Sequence, residues 1–317
     1  MSLRSFLKLV EIQTKLASMI PFLLGTFYVL YRFNTFKLLN FLLMLISLLC
    51  VDMATTAVNN YKDYKRANKR HGYGYEKHNA IVRDNLKEST VLMVIFVLYA
   101  IAIIFGILLF LHTDIVVLLL GIFSFMIGVL YSCGPVPISR TPFGEIFSGG
   151  VMGFIIPFLS VYIHIFDKNI IVFTWQEGFL SFQFNITEIL YIILVSIPSV
   201  IGIANIMLAN NICDIEDDIE NKRYTLPIYM GKDRSLLLFK ILYYICYVIL
   251  IVMLALKVIP WVSAITLLTF FVVSKNIKIF YEKQTKKDTF VVAVKNFVLI
   301  NSALVFTLAV EVVIQYL

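Results

Sequence analysis

Apolar residues run along this chain in blocks of about twenty, and most blocks are closed by a cluster of charge. Nine such blocks stand out, at about 16–31, 38–58, 90–111, 115–133, 144–166, 188–209, 236–256, 258–274 and 296–315. A helix of roughly 20 apolar residues crosses the hydrocarbon core of a bilayer, and in lipid the backbone must satisfy its own hydrogen bonds. The blocks are rich in Leu, Ile, Val and Phe and lack period-two alternation, so they predict spanning helices and not barrel strands. The expected fold class is an all-α polytopic membrane protein, about nine transmembrane helices in one bundle. With no linker or low-complexity tract, 1–317 is expected to be a single domain. Two boundaries are soft: the first block holds Pro21 and Gly25, and only Lys257 to Pro260 divide the seventh from the eighth.

Composition agrees with the pattern. The 317 residues are 60% hydrophobic and 15% charged, against about a quarter charged in soluble domains, and the mean hydropathy is +0.88. A net charge of +7 would suit nucleic acid, but the placement of the charges excludes that partner. With the N-terminus inside, only Arg32, Lys37, Lys168 and Lys257 fall in outside segments, and almost all the rest of the 27 Lys and Arg fall in inside ones. The positive-inside rule then makes the N-terminus cytoplasmic; the expected location is the cell membrane. Glu11, Gln13 and Lys15 interrupt the apolar core a signal peptide needs, so the first residues are expected as a short amphipathic helix against the inner leaflet. The outside segment 167–187, with Trp175 and several Phe, reads as interfacial. Cys50, Cys133, Cys213 and Cys246 show no metal or redox spacing and read as small packing residues.

Two inside stretches carry the chemistry. "VNNYKDYKRANKR" starts at Val58, where the second block ends, and "LANNICDIEDDIENKR" starts at Leu208, where the sixth ends. Both contain Asn-Asn-x-x-Asp: Asn59, Asn60 and Asp63, then Asn210, Asn211 and Asp214. Residues four apart share a helix face, so Asn59 stacks with Asp63, and Asn210 with Asp214 and Asp218. Oxygen-only ligands suit a hard cation such as Mg²⁺, which keeps waters and takes substrate phosphates; without a His/Cys constellation, zinc is not expected. Lys62, Lys65 and Arg66 beside the first motif, and Lys222 and Arg223 beside the second, are the cations a diphosphate needs. One such stretch alone would read as a solvated helix end; the pair reads as a clamp.

The pair resembles the two aspartate-rich motifs of the UbiA superfamily of intramembrane aromatic prenyltransferases. "TKLASMIPFLLGT", "HNAIVRDNLK", "YSCGPVPISRTPFGE" and "NNICDIEDDIENKRYTLPIYMGK" are similar to the branch that prenylates 1,4-dihydroxy-2-naphthoate for menaquinone. The likeness runs to about residue 235; the last three spans share only hydropathy. It implies nine helices, a cytoplasm-facing site, Mg²⁺ on Asp63, Asp214 and Asp218, and a polyprenyl diphosphate and an aromatic acceptor as substrates met in membrane lipid. Where the family places a further aspartate after the first motif, this chain has Ala67 and Lys69, so the first motif is poor in carboxylates.

Within the resembling stretches, Tyr131 and Glu145 are expected at the substrate. Arg140, counted with the catalytic aspartates, reads as a phosphate or carboxylate ligand, or else as a positive-inside anchor. Arg83, with Asp84, reads as part of a loop over the pocket or as plain solvated loop. Asp52, inside the second span on the face of Asn59 and Asp63, reads as a cavity-lining acid or as a structural acid satisfied nearby. Gly72 and Gly74 do not form a phosphate loop, since no strand precedes them; His71 and His78 read as solvated. Acceptors such as 4-hydroxybenzoate, haem or a lipid alcohol remain open, as does a non-catalytic anion transporter or lipid binder. A transporter would be expected to place its charges near the midplane.

Overall fold

The computed structural model describes residues 1–66, 79–132, 134 and 136–317, with Arg66 described only in its backbone. The readings on Ala67, Lys69, His71, Gly72, Gly74, His78, Cys133 and the Arg66 side chain lie outside the described residues. The chain divides into two compact units. One comprises Met1–Ser18 and Leu38–Cys133, the other Met19–Lys37 and Gly134–Leu317.

In chain order the helices are α1 (Leu3–Leu9), α2 (Leu16–Phe33), α3 (Leu38–Arg66), α4 (Ala80–Arg83), α5 (Glu88–Leu111) and α6 (Ile115–Ser132). Then come α7 (Gly144–Ser148) and α8 (Ile156–Ile165), joined by a π-helical segment, Gly149–Ile155, and a hairpin of β1 (Ile171–Gln176) and β2 (Phe179–Phe184). The chain continues through α9 (Ile186–Cys213), α10 (Ile215–Glu220), α11 (Leu226–Met230), α12 (Lys232–Ala255), α13 (Thr269–Glu282) and α14 (Val291–Tyr316). Among the described residues, nine helices are long and apolar enough to cross a membrane, in the order expected. Pro260 starts the eighth, capping a 3-10 helix, Trp261–Leu268, that leads into α13.

In the first unit α3 and α5 pack along their length because α3 offers small residues there. Cys50, Ala54 and Ala57 are buried against Leu98, Ala102 and Val91, and small side chains let helix backbones approach closely in lipid. The remaining faces of α5 are exposed and apolar, for example Met93 and Phe96, as lipid-facing positions must be. The first helix does more than lie at a surface: Leu9 is buried with Ala57, Ala80 and Ile81.

Asp52 is a structural acid. Lys15, 3% exposed, places Nζ 2.5 Å from Asp52 Oδ1 and 2.7 Å from Thr56 Oγ1, and Ser18 Oγ donates to Asp52 Oδ2 at 2.5 Å. A buried pair of charges is tolerated when its remaining polar atoms are also bonded, and here they are. The arrangement pins the segment before α2 to the middle of α3.

In the second unit α9 is the central helix. Gly153 lies so close to α9 that a Cβ would stand 2.4 Å from Val200 Cα, and a Cβ on Gly202 would stand 2.7 Å from the ring of Phe297 on α14. Pro198 lies inside α9, and α14 is bonded beside it: Asn301 Nδ2 donates to Pro198 O at 3.3 Å and its Oδ1 accepts from Ser199 Oγ at 2.8 Å.

Candidate active site

The second motif sits where α9 ends. Asp214 N–H donates to Asn210 O at 3.1 Å and Asp218 N–H donates to Asp214 O at 2.7 Å. Those i to i−4 bonds carry the stripe Asn210–Asp214–Asp218 through the break between α9 and α10, as helical spacing predicts. Both carboxylates are deeply seated, Asp214 at 7% and Asp218 at 2% exposed.

Each carboxylate has its own cation. Lys286, in the loop between α13 and α14, holds Nζ 2.5 Å from Asp214 Oδ2, while its side chain stays 59% exposed. Arg223 brings Nε 3.2 Å from Asp218 Oδ1 and donates through Nη2 to Ser139 O at 3.2 Å. The Thr225 hydroxyl donates to Asp218 Oδ2 at 3.1 Å. Burial pushes the Asp218 carboxyl above its ordinary pKa, and Arg223 and Thr225 pull against that. Arg140 lies in the short 3-10 turn Ile138–Arg140, and its carbonyl accepts from Tyr224 N–H at 3.1 Å. The 138–140 segment is thus stitched to the motif at two points. Lys222, in a left-handed backbone conformation, is exposed beside it.

Glu145 opens α7 and is buried. Asn211 Nδ2 donates to its Oε1 at 2.9 Å, leaving Glu145 Oε2 and Asn211 Oδ1 buried without a hydrogen-bond partner. Unpaired buried oxygens are costly; Asn211 Oδ1 lies in the turn before Asp214, and Glu145 Oε2 is on α7 beside Asn211. Asn211 is therefore directed to Glu145, and the oxygens stacked along the motif are those of Asn210, Asp214 and Asp218.

The first motif belongs to the other unit, with its residues at the end of α3. Asp63 is exposed. Asn60, expected at the substrate, takes a different part: its Nδ2 donates to Leu9 O at 2.9 Å and Glu11 Oε1 at 3.2 Å, and its carbonyl accepts from Asn79 Nδ2 at 2.8 Å. Lys62 Nζ donates to Ser132 O at 2.8 Å, fastening α3 to the end of α6, where Tyr131 also lies half-buried. Lys65 pairs with Glu88 at 2.6 Å. Arg83 forks onto its neighbour Asp84 at 2.7 and 2.9 Å. Asn59 is half-buried one turn before Asp63.

Within each unit, among the described residues, no three His, Cys, Asp or Glu side chains lie close enough together to hold a metal ion. The donors present are two buried carboxylates four residues apart, with the unpaired Asn211 Oδ1 in the preceding turn and the unpaired Glu145 Oε2 on α7. That set fits a hard cation that completes its shell with water and substrate oxygens, as Mg²⁺ does, and not a fully caged metal. Lys286 and Thr225 were not among the expected site residues. Thr225 lies in the resembling stretch, seven residues after Asp218, whereas nothing local marks Lys286.

Residues 18–301 match the UbiA prenyltransferase family. The 1,4-dihydroxy-2-naphthoate octaprenyltransferase of Bacillus subtilis (strain 168) is 35% identical over 238 residues, 74% of this chain and 68% of the relative. A UbiA homolog from Archaeoglobus fulgidus, solved bound to GPP and Mg²⁺, superposes with a TM-score of 0.64 at 13% identity, covering 97% of this chain and 99% of that one. The apo structure of a UbiA homolog from Aeropyrum pernix K1 gives a TM-score of 0.65 at 18% identity, covering 94% and 98%.

Proposed function

Since this chain belongs to the UbiA prenyltransferase family, we propose that it moves a polyprenyl group from its diphosphate to an aromatic acceptor inside the membrane. The acceptor is 1,4-dihydroxy-2-naphthoate, the substrate named for the Bacillus subtilis relative, and the product feeds menaquinone synthesis. The observation that carries this reading is the buried Asp214–Asp218 pair, which closes an apolar helix and faces Lys286 and Arg223.

Asp214 and Asp218 would hold Mg²⁺, which supplies positive charge to the diphosphate. The chain's own cations, Arg223, Lys286, Lys222 and Arg140, bind the phosphate oxygens. Their charge stabilises the diphosphate as the allylic C–O bond breaks and its electron pair leaves with oxygen. An electron pair of the acceptor ring then forms the new C–C bond. Loss of CO₂ from the naphthoate spares the site a strong base. Asn59 and Asp63 of the first motif, with Arg66 and Arg83, would bind diphosphate, as the resemblance implies. Because the first motif has Ala67 four residues after Asp63, where the second has Asp218 four after Asp214, the second motif does most of the metal binding. The prenyl tail lies in lipid between the helices, and the site opens to the cytoplasm at the cell membrane.

The test is purified protein in detergent with a polyprenyl diphosphate, Mg²⁺ and a panel of acceptors. Prenylated naphthoate with loss of CO₂ is the expected product. Product with only 4-hydroxybenzoate, haem or a lipid alcohol would overturn the acceptor, and no product with any acceptor would overturn the enzyme.

A further inference from the structure

The hairpin between α8 and α9 is amphipathic, and its apolar face is uncovered. Its register pairs Ile171 with Phe184, Phe173 with Phe182 and Trp175 with Leu180. Residues directly opposite in an antiparallel ladder project to the same side, so these six side chains share one face. The other face carries Thr174 and Ser181, hydroxyl to hydroxyl at 2.5 Å, with Gln176 and Gln183. Val172 and Phe179 complete it, so it is mixed where the first face is wholly apolar. Glu177 and Gly178 make the two-residue turn with φ of 50° and 84°, positive at both central positions as a type I′ hairpin requires. On the apolar face Trp175 is 69%, Phe182 49% and Phe184 51% exposed.

We infer that this face is a docking surface for the interfacial layer of the phospholipid bilayer, on the side opposite Asp214. Three observations choose lipid. The hairpin is continuous with the membrane: β1 begins six residues after α8 and β2 ends two residues before α9, both parts of candidate spans. Six-residue strands reach only about 20 Å, so the hairpin stays at that surface. Its charge is confined to the tip, since Glu177 is the one ionisable residue between Ile170 and Ile186. Finally, Trp261 starts the 3-10 helix after α12, which runs back from the Asp214 end, and it too is 69% exposed. Both tryptophans of the chain thus lie at one end of this unit, the level at which membrane proteins carry aromatic belts. The consequence reaches the active site. α9 runs from the hairpin to Cys213, about 42 Å at 1.5 Å per residue, longer than the ~30 Å hydrocarbon core. A hairpin held at one interface sets how far Asn210 and Asp214 emerge at the other.

Trp261→Phe leaves Trp175 as the only tryptophan. In phosphatidylcholine vesicles its emission is expected to be blue-shifted and poorly quenched by aqueous acrylamide. Lipid brominated high on the acyl chain should remove roughly half of it, as burial just below the headgroups implies. In that background Phe182→Asp should return Trp175 to water-like emission, while Gln183→Asp, on the opposite face, should leave it unchanged. Water-like emission with free acrylamide quenching and no effect of bromine would overturn the assignment. Protection from acrylamide and bromine alike would also overturn it, in favour of a protein covering the face. None of these readouts depends on catalysis.

Discussion

Lys286 Nζ lies 2.5 Å from Asp214 Oδ2, joining the loop before the last helix to the end of α9 across 72 positions of sequence. The likeness expected only to about residue 235 extends further, since the family match runs to residue 301, and these last spans deliver a cation onto Asp214.

Lys286 and a metal ion compete for the same carboxylate oxygen, and Lys286 is exposed enough to turn to a phosphate instead. Lys286→Met is therefore expected to tighten Mn²⁺ binding to substrate-free protein by up to about five-fold, the scale of a part-exposed ion pair. It should also raise KM for the prenyl diphosphate. Electron paramagnetic resonance of free Mn²⁺ reads the first effect and steady-state kinetics the second. Unchanged values for both would show that Lys286 is a bystander.

Thr225 donates to a buried carboxylate, and hydrogen bonds to charged groups contribute about 1.5–3 kcal/mol. Thr225→Val should cut kcat/KM by roughly ten-fold or more, while Thr225→Ser, which keeps the hydroxyl, should restore most of it. Equal losses in both variants would point to packing at this fully buried position.

Lys15→Met strands the part-buried Asp52 carboxylate, and breaking a fully buried pair costs about 3–5 kcal/mol, an upper bound here. Thermal unfolding in detergent should drop sharply for Lys15→Met and recover in the double variant Lys15→Met/Asp52→Leu. A stable Lys15→Met with impaired turnover would instead return Asp52 to the cavity.

The Arg83 guanidinium, forked onto Asp84, holds its carboxyl down at about 2. A depressed acid contributes stability that is complete above its unfolded pKa, near 4, and is lost as pH falls from about 4 towards 2. The pair closes α4, so amide exchange in residues 80–84 should accelerate over that range. Asp84→Asn should remove that pH dependence. Exchange insensitive to pH in the unaltered protein would contradict the role of the fork.

What the sequence made legible follows from the range of each interaction. The spans were readable because apolar runs and flanking charges are local, and the Asp214–Asp218 stripe because helical spacing is local. Lys286 on Asp214 and Asn211 on Glu145 were not, since each joins distant segments. The repeated Asn-Asn-x-x-Asp suggested one role for two asparagine pairs, but Asn60 tethers the N-terminal segment while Asn211 meets Glu145. The hairpin did leave a signal: Ile171, Phe173 and Trp175 alternate up to a Glu-Gly turn. A period of two over six residues is easily lost beside spans of twenty.

On this reading the end of α9 holds metal and diphosphate together. Calorimetric titration of a prenyl diphosphate, with and without Mg²⁺, tests it in the unaltered protein and in Asp214→Ala/Asp218→Ala. Binding that requires Mg²⁺ in the first and is absent in the second, at unchanged helical content, is the predicted result. Mg²⁺-dependent binding that survives the double substitution would contradict the account.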